Sequence, residues 1–369
     1  MKITRVETIA TRGPRRKAFG QVSRTALGPA EFSLHGLVFI ETDAGLTGIG
    51  EMASCFTRRG PLLCRETDAL LTPVLLGQDP RRITALTERV DAALFGAEPA
   101  KAGVEMALWD ILGKSLGQPI HALLGGKVRE RVPLSYSIPF GTPEQMARFA
   151  AETARAGFRT VKVKLGQGRA EDIEAVGRVR DAIGPGHRLR VDANMAWRTP
   201  KEAIAIIAAI EPFGVELVEQ PLPPRELDGL AEIRRSVRVP IMVDESVWGP
   251  RDAAEVIRRG AADVVNVYVA EAGGIHKARR IFELCESFGV PCIIGSMPEH
   301  GIGTAAQIHL GVAMTNLGYD SDTCGVLYHE EDLLRTPLRI EGGFAYAPDG
   351  PGLGVEVDMD VVERWRERG

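Results

Sequence analysis

The pattern of hydrophobic and polar positions changes near residue 132 of this chain. Before it, "HGLVFIETDAGLTGIGE" predicts two strands joined by a turn at Asp43–Gly45, and "KAGVEMALWDILGKSLG" predicts an amphipathic helix. After it, short β-branched runs alternate with helical stretches, about 25 residues per unit. The runs end near residues 136, 164, 192, 219, 244, 268, 295 and 320. Eight strand–helix units in series predict an α/β fold of the (β/α)8-barrel type, preceded by a small α+β domain.

The predicted domain boundaries follow this change of pattern. Residues 1–130 form the small α+β domain and residues 131–339 form the barrel. The tail, from about residue 340 to 369, is rich in glycine and proline and carries strand fragments. We expect this tail to return to the N-terminal domain and complete it.

Composition and charge narrow the possible functions. The chain is 44% hydrophobic and 25% charged with a net charge of −4, which argues against nucleic acid as a main partner. It has no apolar run of membrane-spanning length and no signal-peptide core, so we expect a soluble cytoplasmic protein. Five scattered cysteines predict reduced core thiols and no zinc site, and the seven histidines lack metal-ligand spacing, so a bound metal should have oxygen ligands. The basic run Arg12, Arg15, Arg16 and Lys17 predicts a solvated loop.

Polar residues stand at the carboxyl ends of the predicted barrel strands, where barrel enzymes have their active sites. In strand order these are Lys162 and Lys164, Asp192 and Asn194, Glu219, and Asp244. A lysine pair on an edge strand, or a single acid that caps a helix, is an ordinary surface feature. Three acids at matching strand ends would repel one another without a cation. Because Mg²⁺ prefers oxygen ligands, the pattern predicts one Mg²⁺ site.

The motifs K-x-K, "VDAN", "VEQP", "VDES" and "AGGI" follow in the order typical of the enolase superfamily. Over nearly its whole length the chain resembles the muconate lactonizing enzyme-like branch of that superfamily. The resemblance implies that Asp192, Glu219 and Asp244 bind one Mg²⁺ per subunit. It also implies an N-terminal capping domain whose loops close over the barrel mouth, with "RKAFGQVSR" around Phe19 as one such loop.

The resemblance also accounts for the lysines. The shared step is removal of a proton α to a carboxylate, with Lys164 as the base and Lys162 as a contact of the substrate carboxylate or its enediolate. Lys162, roughly 7 Å away, disfavours the charged form of Lys164 by about 2.4 kcal/mol at an effective dielectric of about 20. With the dication nearby, we expect the pKa of Lys164 to fall towards about 7–8.

Tyr268 stands where most of this branch has a third lysine, at the end of the sixth strand. A phenol with an ordinary pKa near 10 is a poor base but a usable acid. The change therefore disfavours racemisation by two bases. Tyr268 either acts in catalysis or substrate contact, or only fills the pocket.

The eighth strand contains "YDSD", with Asp320 and Asp322 two residues apart. In the amino-acid epimerases of this branch, a D-x-D motif here holds the substrate ammonium, so both residues are candidate substrate ligands. The alternative is that they cap a helix or contact the capping domain. Glu299 is a further candidate substrate contact or acid, and Asn194 and Phe19 complete the candidate substrate-binding residues.

Several functions stay open. The leading hypothesis is a lyase that dehydrates a β-hydroxy amino or imino acid such as 3-hydroxyproline, which the phenol of Tyr268 favours. The alternatives are a racemase or epimerase of an amino acid, dipeptide or betaine, a muconate cycloisomerase-like enzyme, and a binding protein without catalysis. The extra acids suit a dianionic substrate poorly, and the intact motifs argue against a binding protein. We expect a small, amino-acid-like carboxylate substrate, no nucleic-acid or membrane partner, and a homo-oligomer.

Overall fold

The computed structural model describes residues 1–25, 28–55 and 59–367. Its N-terminal half contains an antiparallel sheet in the order β1–β4–β5, here called the capping sheet, and a two-stranded ribbon of β2 and β3. The strands are β1 (Ile3–Pro14), β2 (Ser23–Thr25), β3 (Gly28–Ala30), β4 (Phe32–Thr42) and β5 (Thr47–Met52). The helices that follow are α1 (Gly60–Glu66), α2 (Thr72–Leu75), α3 (Ile83–Ala93), α4 (Glu98–Leu116) and α5 (Ile120–Leu123), with a π-helical turn at Thr67–Leu71 between α1 and α2.

The glycines of β5 have a packing role. A Cβ atom on Gly50 would lie 1.8 Å from the backbone oxygen of Gly103 in α4, and one on Gly48 would lie 2.1 Å from that of Ala107. Only glycine therefore lets α4 approach the capping sheet this closely. The Gly48–Gly50 pair belongs to the hairpin that the sequence predicts, with Thr47–Met52 paired antiparallel to β4.

The second half is a barrel, which confirms the predicted fold class. Seven parallel strands are hydrogen-bonded in chain order from β7 to β13. Segment 317–322 lies between the two edges of this sheet, with isolated bridges from Leu317 to Cys292 and from Ser321 to Leu134. The barrel strands are β7 (Ser135–Ile138), β8 (Thr160–Lys164), β9 (Arg188–Asp192), β10 (Val215–Glu219), β11 (Ile241–Val243), β12 (Val264–Val267) and β13 (Cys292–Ile294), preceded by a short β6 (Val132–Pro133).

Helices cover the outside of the barrel. They are α6 (Pro143–Arg155), α7 (Arg169–Ile183), α8 (Pro200–Ile210), α9 (Leu227–Ser236), α10 (Pro250–Arg259), α11 (Val269–Ala272), α12 (Ile275–Ser287) and α13 (Gly301–Ala313), with 3₁₀ turns at Glu211–Phe213 and Gly325–Tyr328. In β8, Val161 and Val163 are fully buried in the large hydrophobic core that these helices share. Because side chains alternate along a strand, Lys162 and Lys164 extend from the opposite face. This alternation places polar chemistry inside an apolar shell.

The C-terminal tail contacts both halves of the molecule. Its strands β14 (Ile340–Glu341) and β15 (Phe344–Ala345) form an antiparallel sheet with β6 at the start of the barrel. After α14 (Met359–Trp365), the backbone N–H of Glu367 donates to the oxygen of Ala10 in β1, 2.9 Å away. The boundaries at residues 130 and 339 remain predictions. Within the described ranges, none of the helices is long and apolar enough to cross a membrane.

Candidate active site

Three buried carboxylates meet at the carboxyl ends of adjacent strands. Asp192 ends β9, Glu219 ends β10, and Asp244 follows β11 directly. Asp192 is paired in register with both Lys164 and Glu219, so the strand ends are level. One carboxylate oxygen from each acid lies within 4.8 Å of the others. Burial, together with the neighbouring acids, raises the pKa of Glu219 and of Asp244 well above the usual value. A compact, all-oxygen, mutually repelling set of donors fits Mg²⁺.

The two lysines contact these carboxylates. The Nζ atom of Lys162 is buried, donates to Glu219 Oε2 at 2.9 Å and to Asp322, and lies 3.6 Å from Asp192 Oδ2. Lys164 Nζ donates to Asp192 and, at 2.9 Å, to Asn194 Oδ1. Both ammonium groups therefore stand beside the proposed metal ligands. A Mg²⁺ ion held there would take up the carboxylates' charge and stabilise an enediolate formed next to the lysines.

The expected lowering of the pKa of Lys164 includes the effect of a bound dication and stays a prediction, because the protein groups alone shift this pKa in the opposite direction. Burial lowers this pKa most, and Lys162 lowers it further, but the charges of Asp192 and Glu219 and the hydrogen bond to Asp192 together outweigh both and raise it above the usual value. The pKa of Lys162 is raised too, since Asp322 and Glu219 outweigh its burial. The prediction from sequence included the charge of Lys162 and left out the carboxylates of Asp192 and Glu219, which contact the two lysines.

Tyr268 follows β12 directly and lines the same cavity as the lysines. Its hydroxyl donates to Asp244 Oδ2 at 2.9 Å. Burial, and then the charge of Asp244, raises the pKa of this phenol well above its usual value. A Cβ atom on Gly295 would lie 2.2 Å from the Cζ atom of Tyr268, so the ring occupies space that glycine leaves. Tyr268 thus presents a protonated phenol to a candidate metal ligand.

The structure separates the two acids of the D-x-D motif. Asp322 lines the cavity, where it accepts hydrogen bonds from Lys162 and Ser135. Asp320 accepts from Thr160 Oγ1 at 2.7 Å and from Arg188, residues at the amino-terminal starts of β8 and β9. The structure therefore places Asp322 at the cavity and Asp320 apart from its lining residues in the described part of the chain, and binding of a substrate ammonium by either acid stays a prediction. A strand rises about 3.3 Å per residue, so residues two apart share a face but lie at different heights of the barrel.

Asn194 and Glu299 differ in whether they line the cavity. Asn194 lines it, and its Nδ2 atom donates to Glu245 Oε1 at 3.1 Å. Glu299 is buried and accepts hydrogen bonds from Ser296 Oγ and the Met297 backbone, at 2.6 and 3.0 Å. It is not among the residues that line the cavity in the described part of the chain.

Phe19 lies in the predicted capping loop. Its ring packs edge-on against Phe149 of α6, with the ring centres 5.7 Å apart. Phe149 lines the cavity, as do Lys17 and Ala18 from the loop itself, whereas Phe19 holds the loop against the barrel. The loop therefore lies at the barrel mouth, as predicted. Phe19 packs against Phe149 and is not among the described residues that line the cavity.

Sequence reasoning did not identify Arg15 and Glu245 as residues of the cavity. The cavity has a volume of about 570 Å³, and both residues line it. Arg15 continues the buried face of β1, two residues beyond Gly13, and its Nε atom is buried without a hydrogen-bond partner among the described residues. The expectation of a solvated loop is thus wrong for Arg15, and the alternation along β1 was the available signal. Burial and Asp192 raise the pKa of Glu245 to about 7.

The barrel, its cap, the three acids and the paired lysines together define an enzyme of the enolase superfamily. Comparison with known families gives the same assignment. Residues 4–125 match the "Mandelate racemase / muconate lactonizing enzyme, N-terminal domain" model, and residues 145–361 match the "Enolase C-terminal domain-like" model. The chain belongs to the mandelate racemase/muconate lactonizing enzyme family, in its muconate lactonizing enzyme-like branch, as the resemblance implied.

Similar proteins of established activity are isomerases. The chain is 35% identical to muconate cycloisomerase 1 of Rhodococcus opacus over 339 residues, 89% of this chain and 90% of the relative. It is 37% identical to the hydrophobic dipeptide epimerase of Enterococcus faecalis over 320 residues, 86% and 89% of the two chains. The crystal structure of the dipeptide epimerase from E. faecalis V583, complexed with Mg and the dipeptide L-Leu-L-Tyr, superposes with a TM-score of 0.91. It is 34% identical and covers 96% of this chain and 100% of that one.

Proposed function

We propose that this protein is a Mg²⁺-dependent isomerase that moves the proton α to a carboxylate, with Lys164 as the acid and base. The observation that carries the proposal is the placement of Lys162 and Lys164 beside Asp192, Glu219 and Asp244. A lysine pair next to a cation-binding acid cluster supplies a proton donor, and a cation bound to the acids would favour the neutral amine that accepts a proton and would stabilise the enediolate. The isomerase relatives support this class over dehydration of 3-hydroxyproline, the leading hypothesis from sequence.

The proposed chemistry takes place on one face of the substrate. Lys164 presents its Nζ atom on one side of the cavity, whereas Tyr268 presents a phenol that is hydrogen-bonded to Asp244. An ordinary phenol titrates near 10, so it gives a proton more readily than it takes one at neutral pH. A reaction that breaks and forms its C–H bond on the Lys164 face needs no second base.

The proposed substrate is a small dicarboxylate. Arg15 lines the cavity, and its buried Nε atom has no hydrogen-bond partner among the described residues, so this cation is placed to bind an anion. Carboxylates are the groups that a guanidinium binds best. The expectation that a dianionic substrate fits poorly depended on the negative charges of Asp320 and Asp322. However, Asp320 lies away from the cavity, and the charge of Asp322 is paired with Lys162.

These points together favour cycloisomerisation of a muconate-like dicarboxylate. One carboxylate oxygen adds to the conjugated double bond, and the electron pair moves to form the enediolate of the other carboxylate. The Lys164 ammonium then protonates the α-carbon, so that one C–O and one C–H bond form and nothing leaves. The reverse reaction uses Lys164 as the base.

Dipeptide or N-acyl amino acid epimerisation is the second candidate. The E. faecalis relative favours it, and the phenol of Tyr268 is a possible proton donor on the opposite face. Epimerisation requires the group on that face to remove a proton as well as to donate one, and a phenol is a poor base.

A substrate panel in D₂O with Mg²⁺ tests the proposal. The panel contains cis,cis-muconate, L-Ala-L-Glu, L-Leu-L-Tyr, N-succinyl-L-arginine and 3-hydroxy-L-proline, each followed by proton NMR. We expect the dicarboxylate to cyclise with one deuterium on the carbon α to a carboxylate. Dehydration of 3-hydroxyproline without turnover of the dicarboxylate or the dipeptides would contradict the proposal. So would the absence of α-deuteration in every substrate.

A further inference from the structure

A second cluster of potential metal ligands lies between the capping sheet and the barrel. His35 comes from β4 and Glu51 from β5, whereas His300 immediately precedes α13 of the barrel. All three residues are buried. One ligand atom from each lies within 4.8 Å of the others. The cluster is separate from the site of Asp192, Glu219 and Asp244.

His300 has an unusual environment. Its side chain is fully buried, and neither ring nitrogen has a hydrogen-bond partner among the described residues. Burial lowers the pKa of His300 to about 3, despite the favourable charge of Glu51, so its ring is neutral with a free lone pair. Buried polar groups nearly always have a partner, and an exception indicates an ion or water that satisfies it. The ring therefore has the properties of a metal ligand.

Glu51 is held in place beside this ring. Its Oε1 atom accepts the backbone N–H of His300 at 2.8 Å and lies 2.8 Å from His35 Nδ1. Its Oε2 atom accepts the backbone N–H of Gly303, also at 2.8 Å. These contacts keep the carboxylate at the start of α13 and keep its pKa below the usual value, although burial alone would raise it. The carboxylate is thus ionised and prepositioned.

We propose that His35, Glu51 and His300 bind a transition-metal ion of the Zn²⁺ type, which joins the capping sheet to the barrel. Two imidazoles and one carboxylate form a ligand set that Zn²⁺ accepts and that Mg²⁺, with its preference for oxygen, does not favour. Tetrahedral Zn²⁺ with bonds of about 2.0–2.1 Å places its ligand atoms about 3.4 Å apart. The cluster therefore needs to contract by at most about 1.4 Å from its 4.8 Å limit.

Metal binding would change the position of the proton that Glu51 and His35 share. Because the carboxylate is ionised, Nδ1 of His35 carries the shared proton. An ion that ligates both Nδ1 and the carboxylate replaces this proton, which moves to Nε2 of the same ring. His35 also lines the active-site cavity, so the ion would fix the capping sheet beside the substrate.

Zinc binding to the full-length protein tests the proposal. The protein is dialysed against ZnCl₂ with excess MgCl₂ to saturate the acid site, and bound zinc is measured by elemental analysis. We expect one Zn²⁺ per chain and a higher melting temperature. Changing a residue that only supports a metal ligand weakens metal sites by about 10–100-fold, so loss of a ligand in His300→Gln or His35→Gln should weaken Zn²⁺ binding at least about 100-fold. His276→Gln, which changes a partly buried histidine outside the cluster, is the matched control and should keep the zinc.

The outcomes separate the alternatives. Zinc lost in both cluster variants and kept in the control supports the site. A wild-type protein that binds no zinc under saturating Mg²⁺ overturns it, and a buried water then explains His300. Zinc that both folded cluster variants retain also overturns it. If one variant fails to fold, the other gives the result, and the visible absorption of Co²⁺ bound to the wild-type protein reports nitrogen ligation independently.

Discussion

Tyr268 at the end of the sixth strand leads to a quantitative prediction about stereochemistry. An ordinary phenol has a pKa near 10, so about one in 10³ such groups is ionised at pH 7. The hydrogen bond from Tyr268 to Asp244, 2.9 Å long, holds the proton on the phenol oxygen. Removal of a proton by Tyr268 should therefore be at least about 10³-fold slower than removal by an available amine, a difference of about 4 kcal/mol.

The assay compares two rates on one substrate in D₂O. Proton NMR measures exchange of the α-hydrogen, and chiral chromatography measures inversion of the α-carbon. We expect exchange to exceed inversion by about 10³-fold or more for the parent enzyme. In a lactone with an α-methylene group, only one of the two hydrogens should exchange. Tyr268→Phe should leave exchange within about tenfold of the parent, the loss of one hydrogen bond.

Tyr268→Lys adds an amine on the second face. Gly295 leaves the space that the phenol ring now occupies, and a lysine is slimmer than that ring. This variant should increase inversion relative to exchange. If the parent inverts its substrate as fast as it exchanges the hydrogen, and Tyr268→Phe removes inversion alone, then the phenol is a catalytic partner and the one-face mechanism is refuted.

Three further predictions follow from the contacts described above. Asp192→Asn and Glu219→Gln should each bind Mg²⁺ at least about 100-fold more weakly by calorimetry, and an unchanged affinity in a folded variant would exclude that ligand. Burial lowers the pKa of His309 to about 4, so the unfolded chain binds a proton first as the pH falls. This group should therefore cost up to about 3.4 kcal/mol of stability between pH 6.5 and 4, and urea unfolding of His309→Gln should show a shallower pH dependence, whereas an equal slope would contradict this. Arg15→Met should raise KM for dicarboxylates by about 10–100-fold and leave monocarboxylates unchanged; an equal rise for both would show that Arg15 does not bind the second carboxylate.

The main part of the site could be predicted because it depends on local sequence. Alternation along "TVKVK" places both lysines on one face, with Val161 and Val163 in the core on the other. Parallel strands then bring their carboxyl ends together, so the acids of consecutive strands are neighbours without any knowledge of the loops. The in-register pair of Lys164 and Asp192 in β8 and β9 shows this directly.

The remaining features depend on depth and on long-range packing. Residues two apart on a strand share a face but lie at different heights along the barrel. Only the contacts of Asp320 with Thr160 and of Asp322 with Lys162 distinguish the two acids. The pKa of Lys164 depends on the sum of all nearby charges, which no single spacing reveals. Glu51 and His300 are 249 residues apart and meet only because the cap packs on the barrel.

The most direct test of the central claim is exchange of the substrate α-hydrogen by Lys164→Met in D₂O with saturating Mg²⁺. The matched control is Lys201→Met, which changes an exposed lysine of α8. A general base contributes about 10²–10⁴-fold, so Lys164→Met should lose at least about 10²-fold in exchange rate while the control keeps the parent rate. Calorimetry on the same samples shows whether Mg²⁺ still binds. Exchange at the parent rate in a folded, Mg²⁺-binding Lys164→Met protein would place the base elsewhere and contradict the account.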